Sequence, residues 1–595
     1  VQRNSKPVTW RGKGLSDALD ASDAFDGSML SLQNLIPDPS TARLWQCRPA
    51  AQKIFDFFGG AFSSGFSGGF SGGFGGGPTT RGPISVMKQL GGIVYGMVAN
   101  PSGALAGFDS PFAFNLITNA QIPVTGTQNS TTLPQTLAAT GAWVPPQMDI
   151  IGTKLMVCHQ GFVGTGGNFV GWFDLSTPTA PVWNAGTLTA TGGGSGFSIA
   201  PTGVVQFFNR AYYIHNAVNA PAVLFSDVLS PTTFTALTGP SPPNILSNVL
   251  TFGDQVPLTA LGALPLSNQL GGIIQSVMVF KNTTCIYQIT GDPIFGAPAT
   301  LTTQAQVSSA NGPPLQINTL NVATGTLAPN SICATPKGLA FMAQDGLRII
   351  DFNANVSDPI GLDGKGVCVP FIFSVVPSRV CAACNASVLR ITTQNGNLSN
   401  NPLQEYWLDF GRGIFTGPHT STASLIVTYR QTFIMQPTAV PGQLWQSDVF
   451  QSATSLFVEN GATLQWAWQT TLLPDTDQMV NVCVTESTLD LSLPPTTAPI
   501  IVNASDQNGS VINQVSVTPP TAAATVWGSF TWGGATWGGG IAAALAPYQL
   551  KWSIPLVFAR GTIAANGQSA GSLRVGALHA RYQILRQLTN TQAAA

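Results

Sequence analysis

One pattern recurs along this 595-residue chain and limits what it can become: a short apolar strand, a polar turn, and a second strand that runs to an aspartate. The copies read IVYGMVA then ALAGFD (Asp109), KLMVCHQ then FVGWFD (Asp174), AYYIHNA then AVLFSD (Asp227), and SVMVFKN then CIYQITGD (Asp292). GLAFMAQDGLRIID (Asp351), SVLRITTQ then QEYWLD (Asp409), and TFIMQP then QLWQSD (Asp448) follow. The aspartates lie about 40 to 65 residues apart, the length of a four-stranded propeller blade with its loops, and a ring of such units leaves few exposed sheet edges. Residues 79–462 are therefore expected to form a β-propeller of six or seven blades with inserted loops. The aspartates are read as turn acceptors closing the blades, since a carboxylate bonds readily to backbone amides two or three residues on.

Helical periodicity is almost absent. The apolar runs are short, rich in Val, Ile, Thr, Phe and Tyr, and bounded by Gly, Pro and Asn, as strands are. Asn-Gly pairs at 311, 395, 460, 508 and 566, and Asp345-Gly346, offer the positive φ angles of tight hairpins. After Ala462 the pattern changes. Segments such as LQWAWQTTLL, MVNVCVTESTLDLSL and SLRVGALHARYQILR predict a β-sandwich-like domain over 463–595, making the whole chain all-β. Residues 1–58 are expected to join the propeller. The last segment carries Lys551, Arg560, Arg574, Arg581 and Arg586 and no acid, a strip that fits an acidic partner or the outer face of an edge strand.

Two low-complexity insertions interrupt this plan. Residues 59–78 space Phe62, Phe66, Phe70 and Phe74 four apart in Gly and Ser, and a loop at 525–541 spaces Trp527, Trp532 and Trp537 five apart in Gly. Glycine excludes helices there. A flexible backbone bearing regular aromatics suits docking into apolar pockets of another subunit, or folding back on its own domain.

Charge bounds the function. Only 8% of residues are charged, against about 25% in an ordinary globular protein, and the span from Pro101 to Ala340 holds ten charged side chains. A surface of Ser, Thr, Asn and Gln with so little charge suits a subunit that ends up covered by neighbours, although β-rich extracellular domains share the composition. A net charge of −1 lacks the concentrated basic face of a nucleic-acid reader, leaving passive contact with DNA at most. No run of about 18 apolar residues exists, so neither a membrane span nor a signal peptide is expected, and synthesis in the cytoplasm is.

Chemistry finds little footing. Glycoside hydrolysis needs two carboxylates at fixed separation, but Glu405, Glu459 and Glu486 all fall late in the chain and no sialidase-type Asp-box occurs. Cys381 and Cys384 make one CxxC, preceded by Cys368, without a second pair to complete a four-ligand metal site, and His159, His215, His419 and His579 look isolated. No catalytic residue, metal site or cofactor is expected, and the chain is read as no enzyme.

The stretch SLQNLIPDPSTARLWQCRPAAQKIFDF, residues 31–57, resembles the N-terminal segment of the tail nozzle proteins of short-tailed bacteriophages. Asn34, Pro37, Leu44, Arg48 and Pro49 follow that family's Asn-x-x-Pro to Arg-Pro-Gly arrangement, with Ala50 in place of the final Gly. The resemblance continues through GGIIQSVMVFKNTTCIYQITGD, SICATPKGLAFMAQDGLRIIDFNANVSDPIG, PLQEYWLDFGRGIFTG and SLRVGALHARYQI. It implies a virion protein: a subunit of a six-fold homo-oligomeric ring below the portal and its adaptor ring. The same resemblance implies an axial channel for double-stranded DNA, lateral fibres or spikes, and a needle or tip protein at the end. A different class, a receptor- or glycan-binding propeller of a tail fibre or spike, would use the aromatic loops to stack on sugars.

Overall fold

The computed structural model describes residues 5–10, 29–38, 44–57, 83–99, 109–126, 145–159, 162, 169–191, 199–217, 220–235, 248–253, 255–267, 273–291, 315–320, 323–361, 380–394, 403–447, 457–459, 462–472, 480–492, 498–506, 509–517, 547–559, 561–569 and 573–587. These are all-β. Helical conformation among them is limited to 3-10 turns such as Pro329–Ser331, and none of their helices is long and apolar enough to cross a membrane.

Among the described residues of 84–447, seven largely antiparallel sheets follow in chain order, besides a parallel pair formed by Thr189–Thr191 and Thr233–Thr235. Sheet 1 is Ile84–Leu90, Ile93–Ala99, Asp109–Asn115 and Ala120–Ile122. Sheet 2 is Gln147–Ile151, Lys154–Cys158, Val170–Asp174 and Val182–Gly186, with Thr125–Gly126 added in parallel. Sheet 3 is Gly203–Phe207, Arg210–Ala217, Ala220–Phe225 and Val249–Thr251. Sheet 4 is Ala260–Ser267, Ile273–Lys281, Cys285–Thr290 and Gln316–Thr319. Sheet 5 has three strands, Cys333–Thr335, Gly338–Ala343 and Gly346–Ile350. Sheet 6 begins with Cys381–Cys384, Val388–Gln394, Leu403–Asp409 and Ile414–His419. Sheet 7 is Ala423–Tyr429, Thr432–Pro437 and Gln443–Ser447, and its fourth strand, Gln52–Asp56, comes from the N-terminal segment.

Side-chain alternation explains why these sheets stack. In a strand, successive residues point to opposite faces. In Ile93–Ala99, Val94 and Val98 pack with sheet 7, while Ile93, Tyr95 and Met97 pack with sheet 2. Leu155 and Val157 face sheet 1, and Met156 and Cys158 face sheet 3. The same division recurs at Ala211/Tyr213 against Tyr212/Ile214, and at Val277/Val279 against Met278/Phe280. Strands that are buried on both faces read as continuous apolar runs, which is how they stand in the sequence. The first strand of sheet 7, Ala423–Tyr429, packs on that of sheet 1, Ile84–Leu90, around a core of Ile84, Val94, Phe112, Phe114, Ile434 and Leu444. Close approach decides Gly96, where a Cβ would stand 2.4 Å from the Val86 carbonyl and 2.6 Å from the Phe112 ring.

The other described strands form two sheets over one core, with a short ribbon of Val458–Glu459 and Ala462–Thr463 beside them. The first continues sheet 6 through Met29–Gln33 into Gln465–Thr470, Gly561–Gln568, Ile500–Asp506 and Val511–Val517. The second is Leu35–Pro37, Trp45–Cys47, Arg574–Gln587, Val480–Ser492 and Pro547–Ala559, with Ser5–Trp10 also paired to Arg574–Gln587. Trp466, Trp468, Val484, Leu489, Val502, Ile563, Val575 and Leu578 fill the space between them. The structure thus distributes residues 1–58: Gln52–Asp56 completes sheet 7, while the four strands before it pair within the two-sheet unit.

Hairpin expectations divide. Asp345-Gly346 turns between two strands of sheet 5, but Asn566-Gly567 sits inside Gly561–Gln568, paired to both neighbours. A Cβ at Gly567 would stand 3.1 Å from the Trp466 indole, so any side chain there needs the ring to give by a few tenths of an ångström. Asn311, Asn395, Asn460 and Asn508 lie outside the described residues.

Candidate functional site

The N-terminal motif residues converge on a buried polar junction. Asn34 is the single residue between Met29–Gln33 and Leu35–Pro37, so it is where the chain leaves one sheet for the other. Its φ of 54° lies in the left-handed region, which Asn tolerates better than other non-glycine residues. Its carboxamide is fully used. Nδ2 donates to Thr420 Oγ1 at 2.9 Å and to the Gln465 carbonyl at 2.7 Å, and Oδ1 accepts from Arg48 Nε at 2.8 Å. Arg48, 1% exposed, also donates to Glu459 Oε2 at 3.1 Å and to the Pro49 carbonyl at 3.2 Å. Glu459 Oε1 accepts the Ala51 amide at 3.1 Å. Burial pushes the Glu459 carboxyl up, but the Arg48 charge and the hydrogen bonds from Arg48, Ala51 and Ser421 together hold it below its ordinary value. Pro37 pairs with Trp45 at the end of its strand.

His419 belongs to the same junction. Its Nδ1 accepts the Asn34 amide at 3.1 Å, which assigns the ring proton to Nε2, 3.0 Å from Thr416 Oγ1. Burial, then the charges of Arg48 and Arg390, hold its pKa well below the usual value, so the ring is neutral. Next to it, Arg390 and Glu405 form a fully buried pair, joined by the Trp407 indole N–H to Glu405 Oε1 at 2.7 Å and capped by the Trp407 and Phe433 rings over the guanidinium. A cavity of about 350 Å³ borders Glu459 and Thr420 and reaches Trp445 and Val440 of sheet 7.

A second cavity, of about 400 Å³, lies where the first strands of the sheets converge. It is lined from Val86–Lys88, Gln147–Asp149, Val204–Val205, Leu261–Ala263, Cys381–Ala382 and Leu425–Ile426, with sheet 5 and the 3-10 turn completing the wall. Its described lining holds one carboxylate, Asp149, which accepts Lys88 Nζ at 2.9 Å and the Gln206 amide at 2.7 Å.

The recurring aspartates separate into kinds. Asp174 accepts the Ser176 amide, Asp351 those of Asn353 and Asn355, and Asp409 those of Gly411 and Arg412, as turn acceptors do. Hydrogen bonding holds the Asp174 and Asp351 carboxyls down. Asp227 serves its turn through the backbone, its amide donating to the Thr233 carbonyl at 2.9 Å. Asp109 departs from the expectation: it opens a strand of sheet 1 and is buried, its Oδ2 accepting the Ser85 hydroxyl. Burial raises its pKa to about 7 and lowers that of His159, 4.0 Å away, to about 3, so both groups are neutral only between those two pH values. Asp292 and Asp448 lie outside the described residues, as do Phe62, Phe66, Phe70, Phe74, Trp527, Trp532 and Trp537.

Sequence spacing missed the partners. His159, His419 and His579 are not isolated; His579 meets Thr9 at 3.0 Å and Asp490 at 3.2 Å. Glu459 stands more than four hundred positions from Arg48, a separation that no local pattern encodes. Cys381 and Cys384 lie three apart on one strand and so face opposite cores; burial raises both thiols to about 12. Arg574, from the basic C-terminal strip, pairs with Asp38.

No family model matches the chain, and no curated protein matches it. Solved structures give distant likenesses. One is BBS1N in a complex with ARL6DN, 8% identical, covering 68% of this chain and 99% of that one at a TM-score of 0.33. A polysaccharide lyase is 8% identical over 67% of this chain and 97% of its own, with a TM-score of 0.29. A family 43 arabinoxylan arabinofuranohydrolase from Bacillus subtilis is 11% identical over 86% and 97%, with a TM-score of 0.16. The expectation that the chain is no enzyme is corrected at this point, because carbohydrate-active enzymes stand among these likenesses. At such TM-scores they assign no substrate or reaction to this chain.

Proposed function

We propose that this protein is a subunit of the tail nozzle of a short-tailed bacteriophage, assembled as a six-fold ring around the path of the ejected genome. In this reading the seven sheets are the blades of a propeller, closed where Gln52–Asp56 joins sheet 7, and the two-sheet unit is a β-sandwich beside it. Packing of sheet 7 on sheet 1 supports the closed ring. One observation carries the functional reading: Asn34 and Arg48, the residues of the nozzle-like motif, are both buried and tie sheet 6, sheet 7 and the two-sheet unit together. A motif that fixes how two β units meet is one that a ring-forming subunit would keep, because neighbouring copies must present fixed complementary faces. The low charge of the chain fits a surface covered by the portal adaptor, by fibres or spikes and by a tip protein. It also leaves transiting double-stranded DNA little cationic surface to bind.

Electron microscopy of the purified chain at micromolar concentration tests the assembly. Class averages with six-fold symmetry are expected. A population that stays monomeric at every concentration, and also when mixed with tail-less particles, would remove the ring from this account.

A further inference from the structure

The cavity beside Trp445 is bounded by the turn of sheet 7 that follows Gln436. Pro437, Val440, Trp445 and Leu464 give it an apolar wall. Two polar groups at its edge are committed, since the Trp445 indole N–H donates to Gln443 Oε1 at 2.8 Å and Glu459 is held by Arg48 and the Ala51 amide. Gln33, Thr420, Ser421, Thr422, Thr463 and Gln465 also border it, but the surface left open is mainly apolar and suits an uncharged, apolar group.

The same turn holds both ends of the phenylalanine-bearing segment. The Phe57 amide donates to the Gly442 carbonyl at 3.1 Å. Gln436, 1% exposed, accepts the amides of Ile84 at 2.5 Å and Gly442 at 2.9 Å through Oε1, and its Nε2 donates to the Ile84 carbonyl at 3.2 Å. Residues 58–83 therefore start and finish at one point of the fold, where two to five residues usually suffice to connect strands. Their length serves something other than connection. Within them Phe62, Phe66, Phe70 and Phe74 recur every four residues in Gly and Ser.

We propose that this cavity is the docking site for a phenylalanine ring of the same chain, Phe62 or Phe66. Phe62 is five residues beyond Phe57, a reach of up to about 17 Å from the Gly442 anchor, while Val440 is two residues from Gly442 on the cavity wall. Tethering at the rim gives the segment an effective concentration in the millimolar range or above, ahead of the same segment on a second copy. A ring inserted there fills space that otherwise lacks dispersion partners. This inference is independent of ring assembly and holds for a single subunit.

The test pairs Val440→Cys with Phe62→Cys, Phe66→Cys, Phe70→Cys or Phe74→Cys in the full chain, under mild copper-catalysed oxidation by dissolved oxygen. Peptide mapping distinguishes the native thiols. A bond between the two introduced thiols is expected at monomer mass for Phe62→Cys or Phe66→Cys, in most molecules. A bond joining two copies, or none at any of the four positions, overturns the proposal. Hydrogen exchange supplies a second reading without cysteines: Phe62→Ser/Phe66→Ser should speed exchange of the Val440–Leu444 amides at least tenfold, with the strand pairing of sheet 1 unchanged. Unaltered exchange in that stretch also overturns it.

Discussion

The seven-sheet region and the two-sheet unit share a composition but are assembled by opposite rules. In residues 84–447 nearly every sheet is made of strands that follow one another, and each buries both faces against the sheets before and after it. The two-sheet unit instead brings strands from 5–47 against strands from 465–587, around a core that it shares with sheets 5 and 6. Local pairing is entropically cheap because loop closure is short; joining the chain's distant segments is not, and must be repaid by specific contacts. Asn34, Arg48, Glu459 and His419 supply such contacts at the seam. The two-sheet unit, joined across this seam to sheets 5 and 6, should therefore come apart before sheets 1–4.

Arg48→Met attacks that difference most strongly. It leaves Glu459 without its cation and Asn34 Oδ1 with only its Thr420 donors, and breaking a buried pair from one side costs about 3–5 kcal/mol. Urea unfolding followed by hydrogen exchange should show Gln465–Thr470 and Arg574–Gln587 losing protection before sheets 1–4. Simultaneous loss in both regions would merge the two into one cooperative unit.

Asp109→Asn probes the opposite side of the comparison, a buried acid inside the sheet series. The folded-state value of about 7 lies above the ordinary 3.8, so wild type carries no penalty below pH 3.8. As pH rises from 3.8 to 7 the unfolded chain ionises first and stability falls, levelling at a cost of about 4 kcal/mol for a shift of roughly three units. The variant should therefore gain on wild type between pH 4 and 7 and hold that gain to pH 9, measured by denaturant unfolding. His159 works in the other direction, its lowered pKa removing stability as pH falls from 6.5 toward 3 in both proteins. A constant difference between variant and wild type across pH would show that Asp109 is ionised in the fold.

Close packing within sheet 1 is tested by Gly96→Ala. The added methyl meets the Val86 carbonyl and the Phe112 ring, and overpacking of this kind costs about 1–3 kcal/mol. The smallest effect belongs to Gly509→Ala in the two-sheet unit, where φ is +82° with open space around the position. Strain alone then costs about 1 kcal/mol, read as a small fall in denaturant midpoint.

The same contrast explains what was legible in the sequence. Runs such as IVYGMVA and KLMVCHQ encode strands whose alternate side chains feed two cores, so the recurring unit could be read one segment at a time. Three of its aspartates, Asp174, Asp351 and Asp409, took the turn roles their position suggests. Asp109 did not, because its role depends on Ser85 and on burial by the neighbouring sheet. Asn566-Gly567 misled for a similar reason: the dipeptide allows a turn, while here it pairs within a strand with the Trp466 ring packed closely against it. The seam was visible only as the Asn34 and Arg48 motif. Its partners, Glu459 and His419, lie about four hundred residues on, and neither charge nor spacing points to them.

The nozzle assignment itself is tested most directly by electron microscopy of source particles labelled with a gold-tagged antibody fragment against this chain. The account predicts label at the distal end of a short tail, at six copies per particle by calibrated mass spectrometry. Label confined to lateral appendages, or absent from particles, would contradict it.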